Sequence, residues 1–176
     1  MKAPLLLLLS LLFSACAPMP ESIEPVTGFE VDRYQGRWYE IARLDHRFER
    51  GLEQVTATYF PNDDSTLRVV NRGFSIKSNE WEDAVGKARF AGDRSVAALE
   101  VSFFGFFFGD YVIFELDKEN YQYAFVTGSL NTLWFLSRTP TVDDSLKERF
   151  LNLARDYGYD TSKIIFVPQP EMIEVD

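Results

Sequence analysis

The chain has 176 residues, a formal net charge of −9 and a single cysteine. This length fits one domain, the acidic balance argues against a nucleic-acid-binding protein, and one cysteine excludes an intramolecular disulfide and a metal site built from thiolates. Aromatic residues make up 15% of the chain, with phenylalanine dominant, and this composition favours strands over helices.

The N-terminal residues have the pattern of a bacterial signal peptide. Lys2 supplies a positive charge, and Leu5–Phe13 is an apolar stretch too short to cross a bilayer as a helix. Small residues then precede Cys16, which resembles a lipobox, where the cysteine becomes an N-acyl, S-diacylglycerol cysteine. Two or more acyl chains are what stable anchoring needs. We predict a signal peptide over residues 1–15 and lipidation of Cys16; the alternative is an ordinary secretory signal cut nearby.

The residues after Cys16 predict where the protein is held. Ala17, rather than aspartate, follows the cysteine, and by resemblance to the bacterial sorting rule this indicates the outer membrane, with the protein facing the periplasm. Residues 16–27 contain three prolines and predict an irregular, lipidated tether. A single barrel domain is expected over residues 28–170, followed by a C-terminal tail, 171–176.

Eight segments with strand character follow the tether, separated by clusters of turn residues. Short links between consecutive strands predict an all-β fold, an eight-stranded up-and-down antiparallel β-barrel. The predicted strands are residues 38–44, 54–60, 66–75, 81–90, 95–104, 110–117, 121–127 and 132–138.

One C-terminal α-helix is predicted between an N-cap at Thr141 and a stop at Gly158. Its apolar residues recur at helical spacing and form one stripe, which is expected to pack on the outside of the barrel. Residues 164–167 predict a short ninth strand. The stripe consists of Leu146, Phe150, Leu153, Ala154 and Tyr157.

Two motifs a hundred residues apart resemble the signature of the lipocalin family. The first is Gly36-Arg-Trp38-Tyr, and the second is Leu136-Ser-Arg138-Thr-Pro. Residues 36–52 are similar above all to the bacterial outer-membrane branch of the family, and the resemblance covers residues 28–170.

The resemblance implies a structural role for five signature residues at the closed end of the barrel. Trp38 would plug that end, and the Arg138 guanidinium would lie across its indole in a cation–π contact. The middle of the family's three signature regions would be the turn after the sixth strand, here one residue longer than usual. The expected fold residues are Gly36, Trp38, Glu119, Tyr121 and Arg138.

Alternation of side chains along each strand predicts the residues that face the interior. Small inward residues leave volume unfilled, so we expect an elongated apolar cavity that suits an acyl chain, at about 0.8 kcal/mol per buried methylene. The alternative is a barrel filled by aromatic side chains. The candidate cavity residues are Ala57, Tyr59, Val69, Asn71, Gly86, Ala88, Leu99, Val101, Phe103, Ile113, Glu115, Ala124, Trp134 and Leu136.

The sixth strand leaves two orientations open. If Ile113 faces inward, Glu115 does too, and a buried carboxylate is costly unless it is paired or solvated. In that case Glu115 and Asn71 are candidates to contact a polar head group. The opposite parity places Val112, Phe114 and Leu116 inward.

Two features are expected at the open end of the barrel. Residues 106–108 are three consecutive phenylalanines, which we predict to form an apolar lip for lipid entry or a dimer contact; alternatively, the rings fold back over the cavity. His46, the only histidine, is expected in the first large loop, bonded to a neighbour such as Asp45, and a lone histidine makes a poor catalytic set.

These observations predict a membrane-anchored lipid-binding protein, not an enzyme, with no catalytic residue, metal or cofactor. By resemblance, its partners are fatty acids or lysophospholipids and the outer membrane, with a homodimer possible, and its role is storage or transport in envelope maintenance, including under stress. One alternative is a carrier of haem, pigment or another hydrophobic small molecule. Another is a structural lipoprotein with a filled barrel and a protein partner.

Overall fold

The computed structural model describes residues 18–170. The predicted signal peptide, the predicted lipidation site Cys16 and the predicted tail at 171–176 lie outside the described residues. Within residues 18–170, no helix is long and apolar enough to cross a bilayer.

Eight antiparallel strands close into a barrel, which confirms the predicted all-β fold and its up-and-down order. Each strand pairs with the next along the chain, as β1 does with β2, and β1 also pairs with β8, which closes the barrel. Their bounds are β1 Gly36–Leu44, β2 Leu52–Pro61, β3 Leu67–Ser75, β4 Glu80–Phe90, β5 Ala98–Phe104, β6 Phe107–Leu116, β7 Tyr123–Ser129 and β8 Thr132–Ser137.

The alternating strand directions place the connections at two opposite ends. We call the end with residues 45–51, 76–79, 105–106 and 130–131 the mouth, and these four connections the mouth turns. The other end, the base, carries the three base turns at residues 62–66, 91–97 and 117–122. A short helix, α1 (Val31–Tyr34), leads into β1 at the base.

The signature residues meet at the base as the sequence predicts. Trp38 is fully buried, and its Nε1–H donates to the Tyr34 carbonyl at 2.8 Å. The Arg138 guanidinium lies 3.9 Å from the centre of the Trp38 ring, and it also donates to the backbone carbonyls of Arg33, Gln35, Arg37 and Tyr121. One arginine therefore ties three segments together and closes the base.

The acid of the middle signature region is not Glu119, whose side chain is exposed. Asp117 holds this turn instead, because its carboxylate accepts hydrogen bonds from the backbone N–H groups of Glu119, Asn120 and Gln122. Tyr121 is buried, and its hydroxyl accepts from the backbone N–H of Glu30. The anchoring carboxylate is therefore that of Asp117, the first residue of this base turn.

Helix α2 (Asp144–Asp156) packs on the outer wall with the predicted stripe. Phe150 is fully buried, with ring centroids 5.0 Å from Phe125 and 5.3 Å from Phe135. The predicted N-cap at Thr141 is wrong: the cap is Asp143, which caps without a side-chain hydrogen bond. Gly158 has φ +83°, the left-handed conformation that ends a helix.

The C-terminal segment completes the barrel wall at the mouth end. β1 and β2 pair directly only over Gly36–Tyr39, and beyond that point β1 pairs with a ninth strand, β9 (Ile164–Phe166), which follows a 3₁₀ turn at Thr161–Lys163. The Gln169 side-chain amide then donates to two carbonyls, of Glu40 on β1 and Val55 on β2, at 2.8 and 2.9 Å. Residues 164–169 thus fill a gap between the mouth halves of β1 and β2, and we call this region the seam.

The segment expected to be an irregular tether runs along the barrel from mouth to base. Residues 18–27 form no helix or strand, yet Ile23 is 4% exposed among the residues beneath α2. At the mouth, the Pro18 carbonyl accepts a hydrogen bond from Leu130. At the base, the Val26 N–H donates to the Ile113 carbonyl, and the Val26 carbonyl accepts from the Ala97 N–H.

Candidate functional site

The base half of the lumen is packed solid. Most inward side chains of the strands there are buried, and Trp38 seals them from below. This half therefore has no room for a ligand. Its residues include Leu67, Ala88, Leu99, Leu116 and Ala124.

Three tyrosine hydroxyls meet at the upper limit of this packed half, where Tyr34 and Tyr59 are buried and Tyr111 is only partly buried. Tyr111 on β6 lies 2.7 Å from the hydroxyl of Tyr34 and 2.7 Å from that of Tyr59 on β2. Two hydrogen bonds among three hydroxyls leave one O–H proton uncommitted within this tyrosine triad. Because β2 and β6 lie on opposite sides of the barrel, the triad spans the lumen.

Burial keeps the triad protonated. Desolvation raises the pKa of Tyr34 and Tyr111 well above the ordinary tyrosine value, and it raises the pKa of Tyr59 as well. All three hydroxyls are therefore neutral at physiological pH and act as hydrogen-bond donors and acceptors.

Part of the mouth half of the lumen is open to solvent. Ala84 lies on the same face of β4 as the buried Gly86 and Ala88, yet it is exposed. The inward residues Asn71 and Trp134 are half-buried. The Asn71 Oδ1 atom is buried and has no hydrogen-bond partner within residues 18–170. The inner wall is thus accessible from the mouth down to the triad.

A glycine allows one aromatic ring to enter this space. A Cβ atom on Gly86 would lie 2.8 Å from the ring of Phe103 and 2.8 Å from the Ser102 carbonyl, closer than packed atoms approach. The Phe103 ring therefore lies directly over the Gly86 backbone, on the inner wall.

A buried ion pair lines the upper lumen. Arg43 is 2% exposed and donates to the Glu40 carboxylate at 2.7 Å and to the carbonyls of Glu49 and Leu52. Its Nε atom is buried without a partner in the part of the chain that the structure describes. A bulge in β1 between Glu40 and Ala42 turns Ala42 towards the apolar residues between the outer wall and α2. Arg43, which pairs with the inward Trp134 on β8, consequently faces the lumen.

The first mouth turn closes onto this ion pair through Glu49. The Glu49 carboxylate accepts from Trp134 Nε1 at 3.0 Å and lies 2.8 Å from His46 Nε2. His46 also packs edge-on against Trp134, with centroids 5.4 Å apart. The predicted partner of His46, Asp45, is wrong because Arg50 binds the Asp45 carboxylate at 2.8 Å.

The pKa values of the two buried carboxyls, Glu40 and Glu49, are shifted in opposite directions. Burial raises the pKa of Glu40 well above its usual range, the nearby Glu49 adds to the rise, and Arg43 only partly offsets it. Burial also opposes ionisation of Glu49, but the contacts with His46 and Trp134 outweigh it and hold the pKa of Glu49 below its usual value.

Glu115 does not face the lumen, so its expected inward orientation is wrong. Its carboxylate binds Arg149 of α2 at 2.6 Å and accepts a hydrogen bond from Tyr123 on the outer wall. The cause is a bulge between Ile113 and Glu115, which reverses the alternation of side chains. Ile113 and Leu116 both face inward, so neither parity considered for this strand holds along its whole length.

The other candidate cavity residues lie on the inner face at different depths. Those closest to the mouth are partly exposed, and those below them are buried. The partly exposed set is Asn71, Val101, Phe103 and Trp134, and the buried set is Ala57, Tyr59, Val69, Gly86, Ala88, Leu99, Ile113, Ala124 and Leu136.

Sequence reasoning missed several polar residues of the lumen. Tyr111 could have been predicted, because an inward Ile113 puts Tyr111 on the same face two residues earlier. Arg43 was not, because strict alternation from Trp38 turns it outward and only the β1 bulge brings it in. Within residues 18–170, no group of three or more histidine, cysteine, aspartate or glutamate residues is placed to hold a metal ion.

Comparison with known proteins finds a match to the family model of the lipocalin-like domain over residues 29–169. The chain is 51% identical over 170 residues to the outer membrane lipoprotein Blc of Vibrio cholerae, covering 96% of this chain and 99% of that one. It is 50% identical to the outer membrane lipoprotein Blc of Escherichia coli K12, covering 86% and 85%, and 35% identical to temperature-induced lipocalin-1 of Arabidopsis thaliana, covering 86% and 85%.

Solved structures with the same fold are more distant in sequence. Insecticyanin of the tobacco hornworm Manduca sexta superposes with a TM-score of 0.67 at 22% identity, covering 88% of both chains. The cockroach allergen Per a 4 has a TM-score of 0.67 at 17% identity, covering 89% of this chain and 97% of that one. These two likenesses concern the fold.

Proposed function

This chain belongs to the lipocalin family, and we propose that it is a lipid-binding lipoprotein of the bacterial outer membrane. One observation carries the proposal: the inner wall is accessible from the mouth, where Ala84 is exposed and Trp134 is half-buried, and closed below the tyrosine triad. The kinship with outer membrane lipoproteins and the lipobox-like residues before Cys16 support the location.

The shape and chemistry of the lumen favour ligands with one acyl chain. Apolar side chains such as Val101 and Phe103 line the accessible half, so each buried methylene contributes about 0.8 kcal/mol before ordering costs. The orphaned Asn71 Oδ1 and Arg43 Nε atoms are polar partners for the head group of a fatty acid or lysophospholipid. The activity we propose is reversible binding, for storage or transport in envelope maintenance, with the protein facing the periplasm.

Native mass spectrometry of the domain with Cys16 replaced tests this function. After incubation with fatty acids, lysophospholipids and diacyl phospholipids, we expect selective retention of single-chain lipids. A folded protein that retains no lipid contradicts the proposal and favours a filled barrel with a protein partner. Visible absorbance of the purified protein would instead indicate a haem or pigment carrier.

Two adjacent residues on β4 supply a matched pair of variants. Ala84 lies on the inner face, whereas Val85 is 59% exposed on the outer face. We expect Ala84→Trp to block the accessible half of the lumen and abolish lipid retention, and Val85→Trp to leave it unchanged. Equal retention by both variants would place the ligand outside the lumen.

A further inference from the structure

The mouth carries several exposed apolar side chains, the mouth patch, drawn from three of the four connections and the strands that flank them. Phe106 is 98% exposed, and the Phe48 ring lies 6.4 Å from that of Phe104 across two different turns. Exposed large apolar groups gathered in one place mark a binding surface. The mouth patch consists of Phe48, Ile76, Trp81, Phe104, Phe106 and Phe107.

Charge is distributed unequally between the two ends of the barrel. The mouth turns hold three basic residues, Arg47, Arg50 and Lys77, and two acidic ones, for a net charge of +1. The base turns hold five acidic and two basic residues, for a net charge of −3, in a chain whose total is −9. An anionic bilayer surface therefore repels the base turns more strongly than the mouth turns.

The path of the N-terminal segment places the predicted anchor at the same end. The Pro18 carbonyl is bonded to Leu130 in a mouth turn, and two residues of chain span at most about 7 Å. Acyl chains on Cys16 would therefore enter a membrane near Pro18, at the mouth end. The residues from Pro18 to Val26 extend from the mouth to the base along the barrel. The base is therefore the end of the barrel farther from the predicted anchor.

We infer that the barrel docks mouth-down on an anionic phospholipid bilayer, with the mouth patch in the interfacial layer and the lumen opening onto the lipid. Aromatic side chains favour this layer, and basic side chains such as Arg47, stacked 4.7 Å from the centre of the Phe48 ring, can remain among the head groups. The inference rests on the proposed anchor at Cys16. It goes beyond lipid binding because it fixes the direction from which lipid enters.

The test uses the full-length lipoprotein in vesicles of phosphatidylethanolamine and phosphatidylglycerol that carry nitroxide-labelled acyl chains. A fluorophore is attached to Phe106→Cys at the mouth or to Asp63→Cys at the base; both positions are exposed. We expect strong quenching by the nitroxide at position 106 and little at position 63. Equal quenching at the two positions, or stronger quenching at position 63, overturns the inference.

The contribution of the mouth patch is tested with a fluorophore on Ser78→Cys in a mouth turn. We expect quenching to be lost when Phe104, Phe106 and Phe107 are all changed to serine, and kept in the matched control Phe60→Ser. Phe60 is an exposed phenylalanine at the base end of β2. Quenching that survives the triple change overturns the role of the patch.

Two further readouts separate this inference from other outcomes. If a second copy of the chain covers the mouth, the label at position 106 is shielded without vesicles and light scattering gives the mass of a dimer, which also overturns the inference. If Cys16 is not lipidated, its free thiol takes up the fluorophore in the unchanged protein, so failure of the anchor is detected independently. Lipid retention in solution does not depend on docking and tests the proposed binding function alone.

Discussion

At the scale of single residues, the lumen is notable for the polar groups that it buries. Tyr111 joins two other hydroxyls at the depth where the accessible space ends, and Arg43 is held by a carboxylate and two carbonyls. Buried polar groups cost stability unless they are bonded. Each of these groups is therefore both a structural requirement and a potential contact for a ligand.

The tyrosine triad predicts an asymmetric effect of removing single hydroxyls. Tyr111→Phe removes both hydrogen bonds and leaves the hydroxyls of Tyr34 and Tyr59 without their partner, so we expect a loss of about 2–4 kcal/mol in the free energy of unfolding. Tyr34→Phe removes one bond and leaves the other intact, so we expect about 1 kcal/mol. Urea denaturation measures both. Equal losses would contradict the central position of Tyr111.

Glu49 predicts a pH dependence of the closed mouth turn. Its pKa is lower in the folded protein than the value of about 4.3 expected in the unfolded chain. The stabilisation from the ionised carboxylate is therefore complete above about pH 5 and is lost as the pH falls through the folded pKa. The groups that face it are Glu40, Arg43, His46 and Trp134.

We expect the difference in unfolding free energy between the unchanged protein and Glu49→Gln to be largest near pH 7 and to shrink towards pH 3. Urea denaturation across this range measures it, with Glu119→Gln, which changes an exposed carboxylate, as the control. A difference that is constant with pH would show that ionisation of Glu49 contributes nothing to the closed turn.

At the scale of the elements, the sequence predicted the strands well because turn residues and alternation are local signals. It failed at bulges. One extra residue in β1 brings Arg43 inward, and one in β6 turns Glu115 outward; both bulges depend on pairing with another strand, which no local pattern encodes. The N-cap of α2 was misplaced for a similar reason, since Asp143 caps without the side-chain bond that makes caps recognisable.

The docking of α2 should depend on one aromatic side chain. Phe150 is fully buried between Phe125 and Phe135, so Phe150→Ala is expected to cost about 3–5 kcal/mol through lost burial and a cavity. Its neighbour Arg149 forms a partly exposed pair with Glu115, and Arg149→Ala should cost less than about 1 kcal/mol. Thermal unfolding of both variants measures this, and comparable losses would mean that the ion pair, not the aromatic cluster, holds the helix.

At the scale of the whole molecule, the barrel has a sealed base and an accessible mouth. Its C-terminal segment completes the wall between β1 and β2. The sequence predicted β9 as a short strand, but not that residues 164–169 fill a gap between β1 and β2. That arrangement follows from the early end of direct β1–β2 pairing at Tyr39, a tertiary feature. The integrity of the upper lumen therefore depends on residues more than a hundred positions from β1 and β2.

Gln169 is the residue with which the seam can be tested. Its side-chain amide bonds to the carbonyls of Glu40 and Val55, so Gln169→Ala leaves two carbonyl groups without a donor and should cost about 1–3 kcal/mol. Because the loss is local to the seam, hydrogen exchange should accelerate in the mouth halves of β1 and β2 and stay unchanged in β5 and β6. Pro170→Ala, at an exposed neighbour, is the control. Acceleration spread evenly over all strands would mean that the substitution lowers global stability and that the seam does not open on its own.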